Sequence, residues 1–188
     1  MYRDGKLRLD LHTHIDEATG YGVPTEEIVR EVIDLARTRG LDGIAVTSHN
    51  KPSYGVRFRE LAQALFGDSF LIIPGQEKDE VSPRRQVIEL YLPTGAVFRI
   101  LAHPGQPSGN LDGDLSDLHG VELQNALHDW HIARTQVEEM AARWDLLPVQ
   151  VSDAHTLDSL GHYHTLVSLE EMTLRVLGRG QKGPRKRS

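Results

Sequence analysis

The segment DLHTH at residues 10–14 ends a predicted first strand over residues 7–12 (LRLDLH). Side chains alternate between the two faces of a strand, so His12 and His14 lie on the same face. Two imidazoles placed in this way can bind one metal ion. The segment therefore predicts a metal site at the end of a strand.

Short apolar strands alternate with helices along the rest of the chain. Residues 25–39 predict a helix, because Ile28, Val32 and Leu35 recur at helical spacing. Further strands are predicted over residues 42–47, 69–74, 86–92, 97–102, 120–123, 148–151 and 164–169, and further helices over 56–66, 132–144 and 170–177. This alternation predicts an α/β fold with a parallel sheet or barrel.

Polar side chains with metal-binding chemistry follow the predicted strands. The carboxyl ends of parallel strands meet at one rim, so side chains that follow them converge. One ion takes about four to six ligands, and seven candidates therefore predict at least two ions bridged by a carboxylate. Nitrogen and oxygen ligands without sulfur fit manganese, iron or zinc. The seven candidates are His12, His14, His49, Glu77, His103, Asp153 and His155.

The motifs DLHTH, TSHN, GQE, AHPG and SDAH occur in this order and together resemble the PHP (polymerase and histidinol phosphatase) family. The resemblance covers residues 9–167, which is most of the chain. It implies a distorted (β/α)7 barrel of PHP type with two or three divalent metal ions (Mn, Fe or Zn) at the carboxyl-terminal rim. It also implies hydrolysis of phosphate esters.

Carried over position by position, the resemblance divides the ligands among three ions. Glu77 bridges the first ion to the second. The implied sets are His12, His14, Glu77 and Asp153 for the first ion, Glu77 and His103 for the second, and His49 and His155 for the third.

Two regions depart from the family's pattern. Family members often carry an acid or a histidine shortly after the first motif, where this chain has Thr19 and Gly20. Glu17 is therefore the candidate ligand of this region, with Asp16 as a nearby alternative. Gln86 stands where a family histidine usually precedes AHPG. Glutamine is a poor metal ligand, so the second ion is expected to be held less firmly than the first.

Asp153 and His155 are also the candidate catalytic groups, because either could protonate the leaving group or orient the attacking water. A chain of this size leaves little room for an extended groove, so the expected substrate is a small phosphorylated molecule, with a phosphate monoester favoured. Four cations in or near the rim loops could bind its phosphate, with solvated surface charge as the alternative: Lys51, Lys78, Arg84 and Arg85.

Composition excludes other classes of protein. The 188 residues include no cysteine, which excludes disulfides and thiolate nucleophiles. No apolar run approaches the roughly 18 residues of a membrane span. The first residues (MYRDGKLRLD) contain no apolar signal-peptide core, so a cytoplasmic protein without membrane contact is expected.

Residues 1–178 are predicted to form one PHP-like metal-dependent hydrolase domain, followed by a basic tail over residues 179–188. The tail (RGQKGPRKRS) carries five Lys or Arg residues and no acid, whereas the whole chain has a formal net charge of −6. Its lack of apolar residues predicts disorder. Such a tail could contact nucleic acid or another acidic partner.

Two other functions remain open at this point. A metal-dependent amidohydrolase on a related barrel also begins with His-x-His, but it generally needs a bridging lysine where this chain has Glu77. A non-catalytic metal-binding module could dock a partner or RNA through its basic tail, and the changes at Thr19 and Gln86 favour this alternative. The presence of His49 and His155 disfavours it, because a structural site for one ion would not use them.

Overall fold

The computed structural model describes residues 5–105 and 113–179. The predicted tail lies outside the described residues from residue 180 onward. Within the described part, the strands are β1 Leu7–Asp10, β2 Gly43–Val46, β3 Leu71–Val81, β4 Arg84–Tyr91, β5 Val97–Leu101, β6 Gly120–Asn125, β7 Leu147–Val151 and β8 Thr165–Val167. The helices are α1 Ile15–Ala18, α2 Glu26–Thr38, α3 Pro52–Phe66, α4 Arg134–Trp144 and α5 Leu169–Arg179.

The eight described strands form one mixed sheet in the order β7-β6-β5-β4-β3-β2-β1-β8. The triplets β1-β2-β3 and β5-β6-β7 are parallel, as the sequence predicts. The prediction is wrong for β4 and β8, which run antiparallel to their neighbours. The reversal of β4 follows from a connection of only two residues after β3, because a parallel crossover needs a dozen or more.

The sheet curls into a nearly closed α/β barrel whose ends meet between β7 and β8. The seam is joined by Thr165, whose Oγ1 accepts the N–H of Gln150 at 2.8 Å and donates to its carbonyl at 2.9 Å. Above the seam, the buried carboxylate of Asp10 accepts the N–H groups of Ser152 (3.0 Å) and Gly161 (2.9 Å). These bonds fix the end of β1 against the end of β7.

Apolar side chains fill the inside of the barrel and two layers outside it. Leu9, Ile88 and Phe98 are fully buried in the interior. Helices α2 and α3 cover β2 and β3 through a second cluster, and α4 covers β5 and β6 through a third. None of the described helices has the length and hydropathy of a membrane span.

Two elements are longer than the sequence predicts. Helix α3 begins at Pro52 rather than at residue 56, because proline is favoured in the first turn of a helix. Strand β3 continues to Val81 rather than ending at residue 74, because it pairs with β4 as a hairpin. Gly75 permits this pairing, since a Cβ there would lie 2.5 Å from the carbonyl oxygen of Glu89.

The substitution Thr165→Val should lower the free energy of unfolding by about 1–2 kcal/mol, because the N–H and C=O of Gln150 lose their partner at the seam. Urea unfolding monitored by circular dichroism measures the change. Thr38→Val removes an exposed hydroxyl whose bond is to the carbonyl of Asp34 in its own helix, and it should change stability by less than about 0.5 kcal/mol. Equal effects of the two substitutions would contradict the role of Thr165 in closing the barrel.

Candidate metal centre

The first predicted motif projects two imidazoles into the barrel mouth because the residue between them is fixed to both neighbouring strand ends. The hydroxyl of Thr13 donates to the carbonyl of Ala45 (2.6 Å), and its N–H donates to Thr47 Oγ1 (3.1 Å). Thr13 also pairs with Ala154 on the other side. His12 and His14, on either side of this anchored residue, are fully buried.

Four donor groups meet where these imidazoles point. His12 Nε2 and His14 Nε2 lie 2.9 Å apart. His14 Nε2 is 3.3 Å from Glu77 Oε2 and 3.2 Å from Asp153 Oδ1, and His12 Nε2 is within 3.6 Å of both atoms. His12, His14 and Glu77 form the first group that could hold a metal ion, with Asp153 at its edge.

A second group surrounds the other ring nitrogen of His14. Glu17 Oε1 lies 4.0 Å from His14 Nδ1 and 3.8 Å from His49 Nε2, and Glu17 Oε2 lies 4.0 Å from His155 Nε2. The rings of His49 and His155 stack against His14 with centroids 4.3 and 4.2 Å away. These four residues could hold a metal ion, and they lie at the solvent side of the site.

A third group consists of His103, His128 and Asp153. His103 Nε2 is 2.9 Å from Glu77 Oε1, and His128 Nε2 is 3.5 Å from Asp153 Oδ2. Glu77 therefore contacts histidines of all three groups, because its Oε2 also lies 3.1 Å from His49 Nδ1.

The described residues fit divalent cations. His14 Nδ1 and Asp153 Oδ1 are buried without a hydrogen-bond partner, which is costly unless another group satisfies them. Two imidazole nitrogens that face each other and two carboxylates suit a cation placed among them. The donors are nitrogen and oxygen only, as manganese, iron and zinc accept.

Charge within the site stabilises both carboxylates as anions. Burial alone would raise the pKa of Glu77, but the charge of His12 and the hydrogen bond to His103 hold it well below its usual value. Burial would also raise the pKa of Asp153, but the charges of His12 and His14 hold that pKa below its usual value. Burial would lower the pKa of His12, whereas Asp153, Glu122 and Glu77 raise it well above 6.5.

Backbone strain is concentrated around the site. His103 (φ 25°), Asp153 (φ 54°) and Asn50 (φ 48°) adopt positive φ, which costs non-glycine residues about 1–3 kcal/mol each. His103 and Asp153 are themselves candidate ligands, and Asn50 follows the candidate ligand His49. The surrounding fold holds these residues in orientations that an unconstrained loop would not adopt.

The structure brings together all eight residues that the sequence analysis assigns to metal binding: His12, His14, Glu17, His49, Glu77, His103, Asp153 and His155. Glu77 lies within β3 rather than after its end. Asp16, the nearby alternative to Glu17, is buried and accepts a hydrogen bond from Ser48 at 2.5 Å. Thr19 faces away, since its hydroxyl donates to the carbonyl of Ile15.

Two of the four predicted phosphate-binding cations face away from the site. Lys78 is adjacent to the inward-facing Glu77, so it lies on the outer face of β3, where its Nζ is 3.7 Å from Glu89. Arg85 is buried on the same outer face and pairs with Glu80 (2.7 Å) and Asp117 (2.6 Å). The prediction that these two residues bind substrate is corrected accordingly.

The other two predicted phosphate-binding cations, Lys51 and Arg84, do not lie on the outer face of β3. Lys51 is exposed two residues after His49, with its ammonium 5.7 Å from the ring centroid of Tyr54. Arg84 pairs with Val81 at the tip of the β3–β4 hairpin, which places it on the same face as Glu77.

Sequence reasoning missed the buried carboxylate of Glu122. The Nδ1–H of His12 donates to Glu122 Oε1 at 2.7 Å, which directs His12 Nε2 towards the site. Glu122 Oε2 accepts the backbone N–H of His103 at 2.7 Å and the amide of Asn125 at 2.8 Å. An acid within the apolar segment GVEL of a predicted buried strand was the available signal.

The candidate ligands drawn from the sequence also omit His128, which the structure places against His103 with ring centroids 4.7 Å apart. Burial and the charge of His103 lower the pKa of His128, which favours the neutral form that binds metals.

Solved structures with a similar fold include proteins from Bacteroides vulgatus, Pseudomonas syringae and Bifidobacterium adolescentis. A two-domain protein from Bacteroides vulgatus, containing a predicted PHP-like metal-dependent phosphoesterase, has a TM-score of 0.63 and 19% identity over 94% of this chain. This chain spans 64% of that protein. PsfC from Pseudomonas syringae has a TM-score of 0.63 and 18% identity, covering 89% of this chain and 87% of PsfC.

The third structure, a candidate metal-dependent phosphoesterase from Bifidobacterium adolescentis, has a TM-score of 0.60 and 16% identity, covering 93% of this chain and 96% of that one. No protein-family model and no curated protein sequence matches the chain. The structural likenesses confirm the PHP-like α/β barrel that the sequence motifs imply.

The substitution Glu122→Gln should weaken metal binding by about 10–100-fold, because His12 loses the carboxylate that orients it and makes its Nε2 more basic. Competition with a chromophoric chelator measures the affinity. Glu138→Gln on the exposed face of α4 should leave the affinity unchanged. Unaltered binding by Glu122→Gln would contradict this role.

Metal affinity should fall as the pH is lowered from 8 to 6. The raised pKa of His12 means that its imidazole carries a proton over part of this range, and an ion must displace that proton to bind Nε2. Each displaced proton changes the apparent affinity about tenfold per pH unit. Calorimetry in buffers of different ionisation enthalpy counts the protons released, and release of none would contradict the expectation.

Proposed function

We propose that the chain is a metal-dependent phosphoesterase that hydrolyses a phosphate ester with two or three divalent ions, manganese, iron or zinc. The observation that carries the proposal is the position of Glu77, whose two oxygens contact histidines of all three candidate metal groups. One buried carboxylate shared in this way is suited to a cluster of ions. The PHP-like fold supports the same interpretation.

The three groups of candidate ligands would hold the ions. The first is His12, His14 and Glu77 with Asp153, the second is His14, Glu17, His49 and His155, and the third is His103, His128 and Asp153. Divalent ions bound there would supply positive charge for phosphate oxygens and a water acidified for attack on phosphorus. No serine or cysteine nucleophile is then required.

The second group faces the substrate side. The side chains of His49 and His155 are 41% and 31% exposed, whereas those of His12 and His14 are fully buried. A phosphate group would therefore approach from the side of His49 and His155. Lys51 follows His49 by two residues, and Arg84 shares the inward face of the β3–β4 hairpin with Glu77. These two cations are the proposed contacts to a small phosphorylated substrate, with a monoester favoured.

His155 is better suited than Asp153 to transfer a proton to the leaving group. The lowered pKa of Asp153 keeps it ionised, so it serves as a ligand. The Nδ1–H of His155 donates to the carbonyl of Asp153 at 2.9 Å, which fixes the ring and leaves Nε2 directed to the open side. His155 Nε2 can then either bind an ion or hold the proton delivered to the leaving oxygen.

The amidohydrolase alternative is disfavoured because the carboxylate of Glu77 holds the shared position between His49 and His103 where that chemistry generally needs a lysine. The neighbouring Lys78 lies on the outer face of β3, with its ammonium near Glu89. The binding-module alternative depends on the basic tail, which lies outside the described residues. Contact of the tail with nucleic acid and a cytoplasmic location stay predictions.

Protein loaded with manganese or zinc should contain two or three equivalents of metal and hydrolyse p-nitrophenyl phosphate faster than bis(p-nitrophenyl) phosphate. Glu77→Gln should lower kcat/KM by at least about 100-fold, because it removes a charge that all three groups share. Glu60→Gln, on the exposed side of α3, is the matched control and should retain wild-type activity.

Metal-loaded protein that hydrolyses neither ester would contradict the proposed function. Full activity of Glu77→Gln would show that the hydrolysis does not depend on the carboxylate shared by the three metal groups.

A further inference from the structure

We propose that Tyr21 is a positioning residue of the metal centre, whose phenol holds the carboxylate of Glu17 among the imidazoles of the second group. This inference deepens the proposed function and rests on its metal-binding part. It gives a role to a loop residue outside every motif that the sequence analysis identified.

Glu17 reaches the site from a short helix rather than from a strand end. His49 pairs with Glu77 at the end of a strand, and the ring of His155 donates to the carbonyl of Asp153. Glu17 extends instead from α1, a helix of four residues, and its side chain has three rotatable bonds. Fixing a glutamate side chain costs more conformational entropy than fixing most others, so a ligand of this kind depends on a partner.

The phenol of Tyr21 supplies this partner. Its hydroxyl donates to Glu17 Oε2 at 2.7 Å. Within residues 5–105 and 113–179, no other side chain donates a hydrogen bond to this carboxylate. The bond fixes Oε2 and thereby sets the direction of Oε1.

Oε1 of Glu17 faces two imidazole nitrogens at distances that suit a shared ion. It lies 4.0 Å from His14 Nδ1 and 3.8 Å from His49 Nε2. These separations are too long for hydrogen bonds. A metal–nitrogen bond is about 2.0–2.1 Å, so ligands on opposite sides of an ion stand about 4.2 Å apart. His14 Nδ1 is also buried without a hydrogen-bond partner, and an ion would satisfy it.

The backbone of Tyr21 is in a conformation that tyrosine disfavours. Its φ is 62°, and its N–H donates to the carbonyl of Asp16 at 2.6 Å in the turn that follows α1. Glycine adopts such a φ at little steric cost, as the neighbouring Gly20 does at 83°. The tyrosine is 68% exposed, so burial of its ring does not compensate for this strain. Strain of this kind is concentrated at functional sites, and the ring here contacts a candidate ligand.

The same turn accounts for the departure from the family's pattern at Thr19 and Gly20. Thr19 Oγ1 donates to the carbonyl of Ile15 at 2.6 Å and offers no carboxylate or imidazole. Glu17 provides an acid from two residues earlier in the chain. Tyr21 then holds that acid from four residues later.

Direct binding of phosphate by Tyr21 is a distinguishable alternative. A phenol has one proton to donate, and that proton is donated to Glu17. The remaining lone pairs of the oxygen are acceptors, which a phosphate oxygen does not bond. The geometry therefore favours an effect of Tyr21 on metal affinity over an effect on substrate affinity.

Tyr91 offers a matched control on another face of the protein. Its hydroxyl accepts a hydrogen bond from Gln76 Nε2 at 2.8 Å. Gln76 is adjacent to the inward-facing Glu77, so this pair lies on the outer face of the sheet. Tyr91→Phe removes a bonded phenol without touching a candidate ligand.

The test measures the affinity of the full chain for manganese or zinc alone, by competition with a chromophoric chelator after the metal has been stripped. We expect Tyr21→Phe to weaken the binding of one equivalent by about 10–100-fold and Tyr91→Phe to match wild type. Thermal unfolding of metal-free Tyr21→Phe should match that of wild type, because the ring and the backbone are retained.

A double-mutant cycle shows whether Tyr21 acts through Glu17. Glu17→Ala should also weaken the binding of one equivalent, and adding Tyr21→Phe to it should change the affinity by less than about twofold, because the two changes remove one interacting unit. With p-nitrophenyl phosphate as substrate, saturating metal should restore most of the kcat of Tyr21→Phe and leave KM unchanged.

Wild-type metal affinity in Tyr21→Phe or in Glu17→Ala would overturn the inference. An equal effect of Tyr21→Phe in both backgrounds would also overturn it, since the phenol would then act without Glu17. A raised KM with unchanged metal affinity would assign Tyr21 to direct substrate contact, and a less stable metal-free Tyr21→Phe would assign it to the fold alone. A wild type that binds its full metal complement without hydrolysing phosphate esters would refute the proposed function, while the metal-affinity cycle would still decide the role of Tyr21.

Discussion

A carboxylate surrounded by histidines imposes the main energetic constraint on this structure. Glu77 is almost fully buried, and four imidazoles approach its two oxygens. Removing an unpaired carboxylate from water costs several kcal/mol, so the site is stable only when positive charge is present. Protons on the imidazoles can provide that charge, and divalent ions can replace those protons.

The fold around Glu77 is arranged to hold this cluster. Strand β3 continues past the rim because Gly75 allows close pairing with β4, and Glu77 is fixed between neighbouring strands. Positive φ at His103 and Asp153 turns their side chains inward. The network of Glu122 and Asn125 joins these turns beneath the ligands. Strain at the rim is thus offset by hydrogen bonds in the layer below.

Local patterns predict the parts of the site that lie next to strand ends. The spacing of His12 and His14 and the apolar strands before His103 and Asp153 place these side chains at the rim, where the structure brings them close together. The sequence does not indicate which distant elements meet, so the arrival of His128 from the turn at Asn125 was missed. The reversal of β4 was missed because periodicity does not report strand direction.

Side-chain alternation along a strand determines which of the four predicted phosphate-binding cations face the site. Glu77 and Lys78 are consecutive in a strand and must face opposite sides. The same rule assigns Arg84 and Arg85 to opposite faces. Position in a predicted loop does not define a face of the sheet, so it places Lys78 and Arg85 on the wrong side.

The seam between β7 and β8 has a consequence for how the barrel opens. Thr165 supplies hydrogen bonds there in place of a regular backbone ladder, so this line should be the easiest for solvent to enter. His12 and His14 extend from β1, and Asp153 from β7, on either side of the seam. An ion bound by these residues would link the β7 edge to β1, the strand that pairs with the β8 edge. Metal occupancy would then slow amide hydrogen exchange along the seam, and the cofactor would contribute to the cohesion of the barrel as well as to its chemistry.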